Sequence, residues 1–215
     1  MIIRKIRAVA APSDRVEILL DDGRKIALAA ELVLKEGLLR GDELSDEQML
    51  RLEEENQAWS AREAALNLLS YRARSRAELE QRLQRRGYAS ELVDRCLREL
   101  ESRGLVDDTA FAVSFVRDRI RGNPKGGRRI SQELRARGID GATAGTVIND
   151  VMQAENVTEL HLARAAAARW KPRPGEEPLR AKRRLHGFLM RRGFSGDAVR
   201  AVVEERAGAD EEQPS

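Results

Sequence analysis

One figure occurs three times in this chain: LQRRGY ending at Tyr88, LRARGI ending at Ile139 and LMRRGF ending at Phe194. Its glycines, Gly87, Gly138 and Gly193, are 51 and 55 residues apart. A glycine just past a helix adopts the left-handed conformation that other residues enter only at a cost. The helix then ends in a turn that brings the leucine four residues before the glycine against the apolar residue after it. Leu83 would meet Tyr88, Leu134 would meet Ile139 and Leu189 would meet Phe194. Gly104, between Leu100 and Leu105, repeats the ending on another helix.

The match extends in both directions. Leu79, Ile130 and Leu185 precede the figure by the same step. Val93, Ala144 and Val199 follow it, then Cys96, Val147 and Val202, then Leu97, Ile148 and Val203. These positions form one apolar face of a following helix. Asp140 and Ser195 cap that helix in the second and third copies, whereas the first has Ala89, with Ser90 one position late. An apolar helix also precedes each copy, over 64–70, 111–120 and 160–170, the second capped by Asp107 or Asp108. The unit is three helices in tandem. One such unit buries its face poorly, so neighbours must stack. The expected architecture is mainly α: three three-helix repeats in a curved rod after a small N-terminal antiparallel β unit. The boundaries read 1–44 for the β unit with a short helix, 45–58 for a linking helix, 59–106, 107–154 and 155–206 for the repeats, and 207–215 for a disordered acidic tail. RGNPKGG and KPRPGEEP are the breaks between first and second helices of the later repeats.

The β unit rests on MIIRKIRAVA, RVEILL and RKIALA, the last two separated by Asp21-Asp22-Gly23. Asp-Gly between apolar runs is a hairpin signal. A short helix over 30–35 should follow and stop at Gly37. Ser45 with Gln48, Ser60 with Glu63 and Ser75 with Glu78 read as capping boxes, each starting a helix.

Net charge is uneven. Residues 1–60 carry −4, residues 61–206 carry +10 and the last nine carry −3. A basic excess in the repeats suits an acidic partner. The single cysteine, Cys96, forms no internal disulfide and fits a reducing compartment. No apolar run reaches the ~20 residues of a membrane-spanning helix, and the start lacks a signal-peptide core. The expected setting is the cytoplasm, with no membrane contact, and the expected state is a monomer.

Catalytic chemistry has little to stand on. His161, His186 and Cys96 lie far apart with no metal-ligand spacing. GNPKGGRR departs from the phosphate-loop pattern and follows a helix rather than a strand. Asp107-Asp108 is explained by helix capping. No cofactor is expected. The arginines carry more information. Arg85, Arg86, Arg135, Arg137, Arg191 and Arg192 fall in the last turns of equivalent helices, where the helix dipole favours cations by about 0.3–1 kcal/mol each. Lys125, Arg128 and Arg129, and Arg180, Lys182, Arg183 and Arg184, fall at helix starts. The dipole opposes them there, so they are expected to lack a local partner and to face an external one.

LNLLSYRARSRAELEQRLQRRGY, CLRELESRGLVDDTAFAVSFVRDRI and KGGRRISQELRARGI, in that order, resemble the RecX family of bacterial regulatory proteins, over roughly residues 60–206. RVEILLDDGRKIALAAELVLKEGLLRGDELSDEQ resembles the lead-in of its longer members. The resemblance implies a non-enzymatic modulator of the RecA recombinase. Such a protein binds along the groove of the RecA–single-stranded DNA filament and most often inhibits it, damping strand exchange and the SOS response. DNA, single- or double-stranded and read without strong sequence preference, is a further implied contact. The rival reading is a direct DNA-binding protein using its tri-helical units as helix-turn-helix modules. Against it, TAGTVINDV offers only Asn149 as an obvious base-reading residue.

Overall fold

The computed structural model describes residues 1–9 and 14–211, with side chains as far as Arg206. Three strands open the chain: β1 (Ile3–Ala8), β2 (Arg15–Leu20) and β3 (Lys25–Ala29). They form an antiparallel sheet in sequence order, with Ile18 of the central strand opposite Ile6 and Ile26. Asp21-Asp22-Gly23 makes the expected turn between β2 and β3, with Gly23 at φ +84°. Alternation puts Ile18 and Leu20 on the buried face with Leu28. That face packs on Leu32 and Val33 of α1 (Ala30–Lys35) and on Met49 and Leu52 of α2 (Asp46–Tyr71). Residues 10–13, the end of the first expected strand segment among them, lie outside the described residues.

The helix α2 departs from expectation. Ser45 caps it with both bonds of the capping box, at 3.1 and 2.8 Å. Ser60 starts nothing. It lies inside the same 26-residue helix, donating to the Asn56 carbonyl at 2.7 Å and accepting from Arg15. The Ser-x-x-Glu pattern starts a helix only where the preceding backbone leaves helical geometry, and no Gly or Pro before Ser60 forces that. One helix therefore serves two cores. Its first half covers the sheet, and Ala61, Ala64, Ala65 and Leu68 face the first repeat. Asn56 closes the edge of β3, donating to the Ala27 carbonyl and accepting from the Ala29 amide.

The repeats follow. The end of α2, α3 (Arg76–Gln84) and α4 (Ser90–Ser102) make the first. The second is α5 (Asp108–Arg121), α6 (Gly127–Arg135) and α7 (Gly141–Ala154). The third is α8 (Glu159–Ala168), α9 (Pro178–Arg191) and α10 (Gly196–Glu211). The acidic tail begins as helix, since α10 continues to Glu211; residues 212–215 lie outside the described residues.

The three glycines sit at φ +92°, +84° and +81°. Tyr88, Ile139 and Phe194 amides donate back to the Leu83, Leu134 and Leu189 carbonyls, and the glycine amides donate to Gln84, Arg135 and Met190. This pair of bonds is the Schellman ending, and it buries all three leucines completely. Gly104 ends α4 in the same way. So does Asn156 at the end of α7, at φ +51°, an ending the glycine pattern does not reveal. Ala89 precedes α4 without a side-chain cap, as its residue type dictates, while Asp140 caps α7.

The chain divides into two compact units. One holds Met1–Ala73 and Leu79–Leu105; the other holds Arg74–Glu78 and the described residues from Val106 on. In the second unit, repeats two and three share one continuous core. Phe111, Phe115, Ile130, Leu134 and Val147 join Leu162, Leu185, Leu189 and Phe194 in it.

Candidate functional site

The site is built on the joints of the second unit. A side chain added at Gly138 would put its Cβ 2.3 Å from the Ala77 Cβ, and one at Gly193 would lie 2.5 Å from the Arg129 amide nitrogen. The Ser75 hydroxyl donates to the Arg137 carbonyl at 2.6 Å. At the corresponding place one repeat later, the Gly126 amide donates to the Arg192 carbonyl at 2.9 Å. Each glycine thus ends its own helix and seats the start of the preceding repeat's second helix. The end of RGNPKGG forms this joint.

The arginines beside these glycines belong to the joint. Arg137 donates to the Glu133 carbonyl at 2.6 Å and lies 4.6 Å from the Phe115 ring centre. Arg119 covers the same ring at 4.2 Å. Arg192 donates to Asn123 and to the Pro124 carbonyl, and lies 4.6 Å from Phe188. Burial pushes its pKa below the usual guanidinium range, with nearby Arg169 adding to the effect.

A carboxylate hub explains the cations at the start of α6. Glu133, its side chain 14% exposed, receives Arg119 at 2.9 Å, Lys125 at 2.5 Å and Arg129 at 3.1 Å. Partial burial pushes its carboxyl upward, but hydrogen bonds from Lys125 and Arg119 outweigh this and hold the pKa down at about 2. In the third repeat, Arg184 pairs with Glu176 and lies 5.2 Å from the Trp170 ring centre. The expectation that helix-start cations lack a local partner is therefore corrected for Lys125, Arg129 and Arg184. Their partners arrive from the next helical turn, from a neighbouring loop and, for Arg184, also from the Trp170 ring just past the end of α8. The offset between a cation and the helix dipole says nothing about these. Asp107 caps α5 through the Thr109 and Ala110 amides, as expected. Asp108 has a role the sequence reading missed, accepting from the Arg76 amide at the start of α3 at 2.7 Å.

The remaining nominated cations are exposed. Among the described residues, Arg128, Arg135, Arg180, Lys182, Arg183 and Arg191 form no ion pair in the second unit; Arg85 and Arg86 form none in the first. Arg128 and Arg135 line an open groove of about 480 Å³ between α6 and α7, with Gly127, Ser131, Gln132 and Ile148. Lys182 and Arg183 line a groove of about 390 Å³ between α9 and α10, with Leu179, His186, Arg200 and Val203. Among the described residues, no cluster of His, Cys, Asp and Glu could hold a metal, and no helix is long and apolar enough to cross a membrane.

The described residues thus form a small sheet followed by three-helix repeats, jointed at glycines in the second unit and carrying exposed cations that form no ion pair. Three RecX family models match in order: the first three-helix domain at residues 61–100, the second at 107–148 and the third at 158–203. Regulatory protein RecX of Mycobacterium sp. (strain KMS) is 40% identical over 162 residues, covering 74% of this chain and 88% of the relative. That of Halorhodospira halophila is 41% identical over 157 residues, covering 71% and 90%. That of Clostridioides difficile is 28% identical over 211 residues, 98% of each chain. A crystal structure of regulatory protein RecX superposes with a TM-score of 0.68 at 26% identity, covering 94% of this chain and 98% of that one. The chain belongs to the RecX family, and the regulatory role its relatives are named for is the coarse function the residues support. The first 60 residues lie outside the three domain matches.

Proposed function

We propose that this chain is a non-enzymatic regulator that binds the RecA–single-stranded DNA filament and limits RecA activity in DNA repair and the SOS response. Family membership carries this reading. The exposed cations Arg128, Arg135, Lys182 and Arg183, which form no ion pair among the described residues, support it. Arg129 and Arg184 support it less, because Glu133 and Glu176 hold them. A repeat protein that prefers one filament state shifts the filament toward that state by its difference in affinity. In this reading the protein acts in the cytoplasm, as a monomer, and touches DNA only without sequence preference.

The test is single-stranded-DNA-dependent ATP hydrolysis and strand exchange by RecA, titrated with the full chain. Wild type is expected to lower both. R128E with R183E is expected to weaken that effect about tenfold, the scale of one or two lost charge-assisted contacts. A wild-type chain that leaves RecA unaffected overturns the reading. Binding of duplex DNA with strong sequence preference, unaffected by RecA, would favour the helix-turn-helix alternative instead.

A further inference from the structure

The α6–α7 and α9–α10 grooves of the second unit occupy corresponding places in consecutive repeats. Shifting six of the eight residues that line the first by the 55-residue step that relates Gly138 to Gly193 gives six of the seven that line the other; Gln132 and Arg135 on one side and Leu179 on the other have no counterpart. Gly127 maps to Lys182, Arg128 to Arg183, Ser131 to His186, Gly145 to Arg200, Ile148 to Val203 and Asn149 to Glu204. Two surfaces at one address in consecutive repeats fit two copies of one ligand.

The lining selects its chemistry. The floor is aliphatic, with Ile148 in one groove and Val203 with the half-exposed Leu179 in the other. Gly145 leaves open space, since a side chain there would meet nothing within 4 Å. The rims are mainly cationic: Arg128 and Arg135 with no ion pair in the first groove, then Lys182 and Arg183 in the second, where Arg200 is held by Asp197 and Glu204 is the one acid on the lining. Neither groove is lined by Phe, Tyr or Trp, and the one aromatic ring, His186 of the second groove, is a single face rather than the run of stacking platforms that single-stranded nucleic acid uses. An apolar floor between guanidinium rims is complementary to a helix with one apolar stripe and flanking carboxylates. The first repeat differs at the same addresses. Glu80 stands where Ser131 and His186 stand, and Asp94, paired with Arg98 at 3.1 Å, stands where Gly145 and Arg200 stand.

We propose that the α6–α7 and α9–α10 grooves each seat an acidic amphipathic helix of a protein partner, one chain engaging two copies of the same segment. The partner's identity rests on the filament reading above, because a polymer of identical subunits presents one segment many times. Joined sites of this kind gain avidity without any new contact.

The test transplants the first repeat's own residues. S131E with G145D alters one groove, and H186E with R200D alters the other; circular dichroism and urea midpoints confirm folding. The probe is a short synthetic helix bearing leucine on one face and glutamate on the flanks, titrated calorimetrically into the full chain. Two equivalents are expected for wild type and one for each double variant, with the altered groove at least about tenfold weaker. None is expected for the quadruple variant, which should also lose its effect on RecA. Unchanged stoichiometry in folded variants overturns the proposal. So does a single-stranded oligonucleotide that binds wild type but not the quadruple variant while the peptide binds neither. A wild-type chain without effect on RecA counts against the functional reading, and the peptide stoichiometry then decides this one alone.

Discussion

Gly87 and Gly193 end equivalent helices with the same pair of backbone bonds and nearly the same φ, yet their surroundings differ. A side chain added at Gly87 would meet nothing within 4 Å; one at Gly193 would strike the backbone of Arg129. Gly138 resembles Gly193, pressed on Ala77. The figure that looks identical three times in sequence therefore does one task at Gly87 and two at the others. It ends a helix everywhere, and it also seats a preceding helix start at Gly138 and Gly193. A repeated motif marks a local conformation; whether it also marks an interface depends on what lies across from it.

The sharpest way to break this comparison is G193A against G87A. G193A should lose about 3 kcal/mol or more, adding overpacking against backbone to the left-handed penalty. G87A should lose only the penalty, about 1–2 kcal/mol. Equal losses in urea unfolding would mean that Gly193 has no joint role. Next in size is the hub that keeps the α6 joint in place. E133Q should cost roughly 2 kcal/mol at neutral pH, by leaving three cations without their carboxylate. The folded pKa of about 2 lies below the ordinary 4.5, so the unfolded chain binds the proton first. The stabilisation is full above about pH 4.5 and is lost as pH falls through 2, so the gap between wild type and E133Q should close over that window. A gap independent of pH would point to packing rather than charge.

Smaller effects sharpen the same contrast. S75A removes the bond to the Arg137 carbonyl and the acceptor for the Glu78 amide, and should cost about 1–2 kcal/mol. If hydrogen exchange at Arg137 to Ile139 stays as slow as in wild type, Ser75 is not holding that joint. G87N should be mildest, at roughly 1 kcal/mol or less, because asparagine tolerates the left-handed region and Asn156 already ends α7 in it. A large loss in thermal unfolding would reveal a contact at Gly87 that the other two glycines share.

The fold was legible where a residue type answers a local backbone need. Gly87, Gly138 and Gly193 gave the repeat register, Asp21-Asp22-Gly23 the hairpin turn, Ser45 the start of α2 and Asp140 the start of α7. Reading failed where the deciding partner is remote or where a signature is met without its geometry. Ser60 carries a capping pattern inside a continuous helix. Asp108 caps a helix that starts 32 residues earlier. Arg129 and Glu133 were four apart and could have been paired from the sequence, but Lys125 and Arg119 join them only through the loop fold. Arg184 with Glu176 has no helical spacing at all. The grooves were half legible. Arg128 and Arg183 were nominated by charge, while the equivalence of their surroundings appears only once α6 with α7 and α9 with α10 are seen side by side.

The unbroken α2 has a consequence for how such chains can change length. Each residue of a helix adds about 1.5 Å and turns the next by about 100°. Met49 and Leu52 face the sheet core, while Ala61, Ala64 and Ala65 face the first repeat. A single inserted residue between Leu52 and Ala61 would rotate one set about a quarter-turn out of phase with the other. The β unit and the first repeat are therefore locked in phase, like two cams on one shaft. Length variation tolerated in the break before α9 should be rejected in α2 unless it comes in steps of about seven residues, two near-complete turns.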